Sequence, residues 1–161
     1  MVNVNLTKER EQVVFGKDSV VIQKYIAGIP GGRSLDVTDI TDEVLYAGHP
    51  IITDGNGGYK PLKVVTSEGV KSYDSLPDGY SYAGILYRSI LTKKPSAAIM
   101  ISGVVNDAAV EIPYGAHKAA IKSALPTIMF VKDEVADSTA AAASTEESES
   151  ASASASESAS N

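Results

Sequence analysis

The chain predicts a mainly β fold: a small β-barrel or β-sandwich-like domain with one short helix, followed by a disordered C-terminal tail. Three observations carry this. Short runs rich in β-branched residues recur between turns containing Gly and Pro. Helical spacing of apolar residues occurs over a single stretch, Pro113–Leu125. Residues 137–161 contain only Ala, Ser, Thr, Asn and acids, with nothing to set against the entropy of ordering. A length of 161 residues suits one domain, and a hydrophobic fraction of 43% is enough for a core. The expected division is an arm over 1–18, a β-rich domain over 19–134 and the tail over 135–161.

The arm, MVNVNLTKEREQVVFGKD, is mostly polar and carries a small apolar cluster at Val13, Val14 and Phe15. An apolar trio with no core around it finds a partner or stays exposed, so the arm is read as a segment that orders on a partner surface rather than as a frayed terminus. Ser19–Ile29 has the β-branched content of a strand, and Pro30-Gly31-Gly32 ends it in a turn. Arg33–Glu43 alternates apolar residues with Asp36, Asp39 and Asp42. A calcium loop needs ligands two residues apart and a Gly at its sixth position, so these acids read as a solvated loop and an exposed strand face.

Val44–Leu62 is the clearest hairpin in the chain. Ile51, Ile52 and Thr53 run into Asp54-Gly55-Asn56-Gly57-Gly58, which tolerates positive φ, and Tyr59–Leu62 returns. Val64–Gly79 reads as a loop or weak strand ending in the turn Leu76-Pro77-Asp78-Gly79. Ser81–Val105 follows, with two apolar runs joined by Thr92-Lys93-Lys94-Pro95, and is expected to form a central hairpin. Gly84 and Gly103 interrupt those runs, which points to a bulge or a close backbone approach at each. Pro113 opens the helix, Pro126 closes it, and Thr127–Lys132 is a last short strand.

Charge and composition narrow the functional classes. Five of the twenty acids lie in 137–161, so the net charge of −6 leaves about −1 on the first 136 residues. The fourteen Lys and Arg are scattered rather than gathered in a stripe, and nucleic acid is not an expected partner. No run approaches the ~20 apolar residues of a membrane span, and the N-terminus lacks an apolar signal core, so a soluble protein made in the cytosol is expected, with no membrane partner. Without cysteine there is no disulfide framework, thiolate nucleophile or Cys-based zinc site.

His49 and His117 are the only imidazoles, and neither has a metal-ligand neighbour at the usual spacing. Gly28-Ile29-Pro30-Gly31-Gly32-Arg33-Ser34 lacks both the order of a phosphate loop and a following helix, and reads as a turn. No Gly-x-Ser-x-Gly elbow occurs, and no carboxylate pair is singled out by its context. The expectation is a non-enzymatic protein without cofactor or metal.

Four short motifs follow one another: Ala47-Gly48 with Ile51, Gly58-Tyr59-Lys60-Pro61, Ala83-Gly84-Ile85-Leu86, and Ile101-Ser102-Gly103-Val104-Val105. In this order they resemble the head-decoration and head-fibre proteins of tailed bacteriophages, over roughly Gly28 to Val131. The helix Pro113–Leu125 and the acidic tail depart from the simplest of those proteins. The resemblance implies a homotrimer on the outer surface of the virion, bound to the major capsid protein. It also implies that the N-terminal segment makes the capsid contact, which here falls on Val13, Val14 and Phe15. Two other classes stand beside it. One is a carbohydrate-binding or host-adhesion module stacking sugars on Tyr25, Tyr59, Tyr73, Tyr80, Tyr82 or Tyr114. The other is a hydrolase built on Asp or Glu.

Overall fold

The computed structural model describes residues 16–132, so the Val13–Phe15 trio and the expected tail lie outside the described residues. A single turn of helix, α1 (Asp18–Val21), leads straight into β1 (Ile22–Gly28). The stretch expected to be all strand therefore opens as a helix. Asp18 in the first helical turn favours this, because its carboxylate sits at the positive end of the backbone dipoles.

Next come β2 (Arg33–Ser34), β3 (Val44–Leu45), β4 (Pro50–Thr53), β5 (Tyr59–Pro61), β6 (Val64–Ser67) and β7 (Val70–Tyr73). They are followed by β8 (Ser81–Leu86), β9 (Ile90–Leu91), β10 (Ser96–Ala97), β11 (Ile99–Asn106), α2 (His117–Ala124) and β12 (Ile128–Val131). The fold is mainly β, as expected, with two helices rather than one. The main sheet runs β1-β11-β8-β4-β5, and β12 joins it parallel to β11. Its ends do not meet, so the barrel alternative falls. Three two-stranded pairs, β2–β10, β3–β9 and β6–β7, complete the architecture. Among the described residues no helix is long and apolar enough to cross a membrane.

The expected hairpin across Asp54–Gly58 is present. Ile51, Ile52 and Thr53 pair with Pro61, Lys60 and Tyr59, and the Asp54 carboxylate accepts from the N–H groups of Asn56 and Gly58, each at 2.9 Å. The expected central hairpin takes another form. β8 and β11 are antiparallel neighbours, but they meet only at Leu86–Ile99 and Ile85–Met100. Beyond that point β12 occupies the same edge of β11, pairing Gly103–Asn106 with Ile128–Val131, while β1 holds the opposite edge. The chain between β8 and β11 is spent on β9 and β10, which pair with β3 and β2.

Adjacent residues of the central strands go to different cores. Ile52, Ile85 and Met100 pack in one cluster with Leu62, Tyr73, Val105, Tyr114 and Ile121 of α2. Their neighbours Ile51, Leu86 and Ile99 pack in a second cluster with Leu35, Leu45 and Ala97. Successive strand side chains point to opposite faces, so the sheet is covered on both sides, and that is why these strands are apolar throughout instead of alternating.

Gly84 and Gly103 sit where the backbones crowd. A Cβ on Gly84 would lie 2.5 Å from the Met100 carbonyl oxygen and from Ile99 Cγ2, and one on Gly103 would strike the Lys24 carbonyl oxygen and Met100 Sδ. Both mark irregular registers, between Ile51 and Ile52 of β4 and between Tyr25 and Ala27 of β1.

Helix α2 starts at His117, later than the sequence predicts. Tyr114 is held instead by a tertiary contact, its buried hydroxyl donating to the Gly48 carbonyl at 2.6 Å, and Gly115 turns the chain with φ of 52° before the helix begins. The helix ends ahead of Pro126, as expected. Val64–Tyr73, read as loop or weak strand, is a regular hairpin with four paired positions.

Candidate functional site

The face formed by α1 and β1 exposes several large apolar side chains together. Val21 and Ile22 point inward and are buried, which anchors α1 and turns Val20 outward at 52% exposure. A tether spanning seventy-one positions fixes it there. The Asp18 carboxylate accepts from the Ser89 N–H at 2.9 Å and from the Ser89 hydroxyl, whose oxygen in turn accepts from the Ala47 N–H at 2.9 Å. Ser89 is buried, so its hydroxyl needs these partners.

Strand β1 is an edge strand with three register irregularities in its ladder to β11. Bulges aim side chains out of the alternating pattern and make an edge a poor template for further strand pairing. Here they leave Gln23, Lys24, Tyr25 and Ile26 exposed in succession, with Tyr25 at 47% and Ile26 at 57%. The Tyr25 ring leans on Tyr87 with centroids 4.7 Å apart, and the Arg88 guanidinium lies 5.3 Å above the Tyr87 ring. Beside them Asp18, Ser19, Ile22, Tyr87, Arg88 and Ser89 line an open cleft of about 340 Å³. The surface offers side-chain contacts to a partner: apolar groups, two aromatic rings and a cation.

The other residues singled out in the sequence are dispersed. Tyr73 and Tyr114 are core residues, stacked at 6.2 Å, and burial pushes both phenols above their usual range. Tyr59 lies beneath Arg33 and Tyr80 beneath Lys60. The Tyr82 hydroxyl is 3.1 Å from His117 Nδ1. The six tyrosines therefore do not form one stacking platform. Asp36 holds the N–H and hydroxyl of Thr38, which lower its carboxyl below the ordinary value, and Asp42 pairs with Lys71 at 2.8 Å. Among the described residues no group of three or more His, Cys, Asp or Glu is placed to hold a metal. The expected turn lies at Pro30-Gly31-Gly32, ahead of β2, with the Arg33 side chain donating back to the carbonyls of Pro30 and Gly32.

His49 is the exception to this dispersal. It is 5% exposed, its Nε2 lies 2.8 Å from the Leu62 carbonyl, and burial lowers its pKa to about 4, so it is neutral at pH 7. It meets the Tyr73 ring edge-on at 5.1 Å, and His117 meets the same ring at 6.3 Å. His49 also lines a small cavity between the 39–47 segment, the β6–β7 hairpin and residues 110–112. Neither this cavity nor the Asp18–Ser89 tether has a local sequence signal, because their members come from distant segments. Comparison of the chain with protein-family models, with curated proteins and with solved structures found no match.

Proposed function

We propose that this protein decorates the head of a tailed bacteriophage, as a homotrimer bound to the major capsid protein on the outer surface of the virion. The order of the four motifs between Ala47 and Val105 supports the reading, and so does the mainly β fold in which they lie on β4, β5, β8 and β11. One observation carries it: an apolar trio in the arm is followed directly by the exposed apolar face of Val20, Tyr25 and Ile26. Covering a half-exposed side chain of that size is worth about 1 kcal/mol. A clamp of this kind stabilises a shell by preferring the assembled state, in proportion to RT ln(1 + [L]/Kd), and needs no chemistry.

Co-sedimentation with undecorated capsids tests the proposal. The full chain is expected to pellet with capsids, removal of residues 1–15 to abolish pelleting, and Val20→Asp with Ile26→Asp to weaken it, with circular dichroism unchanged. A full chain that stays in the supernatant overturns the proposal. Undiminished binding by both variants moves the contact away from the arm and this face.

A further inference from the structure

We propose that Asn56 is a self-modification site, at which the Gly57 backbone nitrogen closes on the Asn56 side-chain amide, ammonia leaves and the turn acquires a carboxylate. The site is independent of the capsid reading and lies at the tip of the β4–β5 hairpin. Ring closure needs an amide open to water, a following nitrogen that is not engaged, and room around the next α-carbon. Asn56 is exposed, as are Gly55, Gly57 and Gly58. The N–H groups around it are held: Gly55 donates to Thr53 Oγ1 at 3.2 Å, and Asn56 and Gly58 donate to Asp54 Oδ1 at 2.9 Å. Among the described residues no acceptor holds the Gly57 N–H. A Cβ on Gly57 would meet nothing within 4 Å, and its φ of 96° is a conformation that glycine adopts freely. The Asn56 amide nitrogen lies 3.5 Å from the Asp54 carbonyl, too far to pin it.

Other positions of similar chemistry lack one of these conditions. Asn106 is buried, its Oδ1 accepts from the Ala108 N–H at 3.1 Å, and a residue with a side chain follows it. Asp54 and Asp78 also precede glycines, but a carboxylate is a poorer electrophile than an amide, and the Gly55 nitrogen is engaged at Thr53. At Asn56 the Gly57 nitrogen gives its proton to solvent base and bonds to Asn56 Cγ. The Cγ–Nδ2 bond breaks and Nδ2 departs, protonated, as ammonia, leaving a five-membered succinimide. Water then opens the ring. Cleavage of the bond from nitrogen to Cγ gives aspartate at position 56, and cleavage of the bond to the backbone carbonyl gives isoaspartate, whose main chain runs through Cβ and Cγ. Either product takes the charge of the first 136 residues from about −1 to about −2. Isoaspartate also lengthens the chain between the two N–H groups that the Asp54 carboxylate gathers. The buried Ile51 and Ile52 hold the base of the hairpin, so the change is confined to its tip.

The full chain is kept at 37 °C at pH 8 and at pH 6, then digested with trypsin. The peptide Ser34–Lys63, in which Asn56 is the one asparagine, is followed by mass and by isoaspartyl methyltransferase labelling. It is expected to become about 1 Da heavier and to accept the label. Conversion should be faster at pH 8, because the nucleophile is the deprotonated nitrogen. Its rate in the folded chain should lie within about threefold of that in the free peptide Thr53–Lys60, and at least about tenfold above that of the buried Asn106. Gly57→Ala should slow it by about tenfold, since a side chain then crowds the attacking nitrogen. If Gly57→Ala disturbs the hairpin, Asn56→Gln serves instead; its closure needs a six-membered ring, and the gain in mass should stop. A folded chain that stays unchanged while the free peptide converts overturns the proposal, because the turn then protects the amide. So does conversion of Asn106 at an equal rate, or an undiminished gain in mass in the same peptide of Asn56→Gln.

Discussion

Strand β11 and the β6–β7 hairpin are both β structure, yet they are supported in opposite ways. β11 is hydrogen-bonded along both edges, by β1 on one side and by β8 and then β12 on the other, and both of its faces are buried. The hairpin has one ladder of four pairs, exposed side chains from Thr66 to Ser72, and a footing at Tyr73, at the Lys71–Asp42 ion pair and at the Asp74 N–H, which donates to the Lys63 carbonyl. The difference teaches where stability resides. In β11 the limiting quantity is space, so added volume does harm. In the hairpin it is turn conformation, and a two-stranded ribbon is marginal without its footing.

The largest effect expected from this contrast is at the crowded glycines. Gly103→Val and Gly84→Val each place a branched side chain against a carbonyl oxygen and a packed side chain, and should cost more than about 3 kcal/mol, enough to abolish soluble expression. Wild-type urea midpoints for both would erase the distinction between the two regions.

The His49 imidazole, at the footing of the hairpin, should give the next largest effect. The unfolded chain takes up a proton below about pH 6.5, whereas the buried ring resists until about 4. Protons therefore favour the unfolded state across that window. Stability is full above pH 6.5, falls as the pH drops, and levels off for this group below 4. Between pH 7 and 5 the loss should be about 2 kcal/mol by urea unfolding. A flat profile would mean that the ring is not enclosed.

A smaller effect belongs to the hairpin turn. Glu68 has φ of 52° and Gly69 has φ of 81°, the left-handed pair that joins two strands tightly. Gly69→Ala should cost about 1 kcal/mol, and Glu68→Asn should gain about 0.5 kcal/mol, since Asn tolerates that conformation better than Glu. Amide exchange of Thr66–Ser72 should follow these changes while that of β11 does not. An equal response in β11 would join the two regions into one cooperative unit. The smallest effect is predicted for deletion after Ala136, which should leave the melting temperature within about 2 °C because its composition offers nothing to pack. A drop of several degrees would show that the tail contributes to the fold.

By itself the amino-acid sequence determined what depends on neighbours in the chain. The mainly β character follows from β-branched runs between turn residues, the hairpin at Asp54–Gly58 from its glycines and capping Asp, and the end of α2 from Pro126. The crowding at Gly84 and Gly103 was readable from small residues inside apolar runs. The tertiary structure decided which strands meet. An apolar run buried on both faces looks the same beside any partner, so nothing in Ser81–Val105 shows that β8 leaves β11 after two pairs or that β12 replaces it. The β6–β7 hairpin read only as a loop or weak strand because most of its residues between Thr66 and Ser72 are polar and its Glu-Gly turn is not a favoured dipeptide. Tyr114 was drawn out of the predicted helix by a carbonyl sixty-six residues away, and Asp18 meets Ser89 across seventy-one. Periodicity and turn chemistry are local quantities that one stretch of chain reveals. Pairing, burial of a lone imidazole and a cavity of three distant segments depend on the free energy of the whole chain closing on itself.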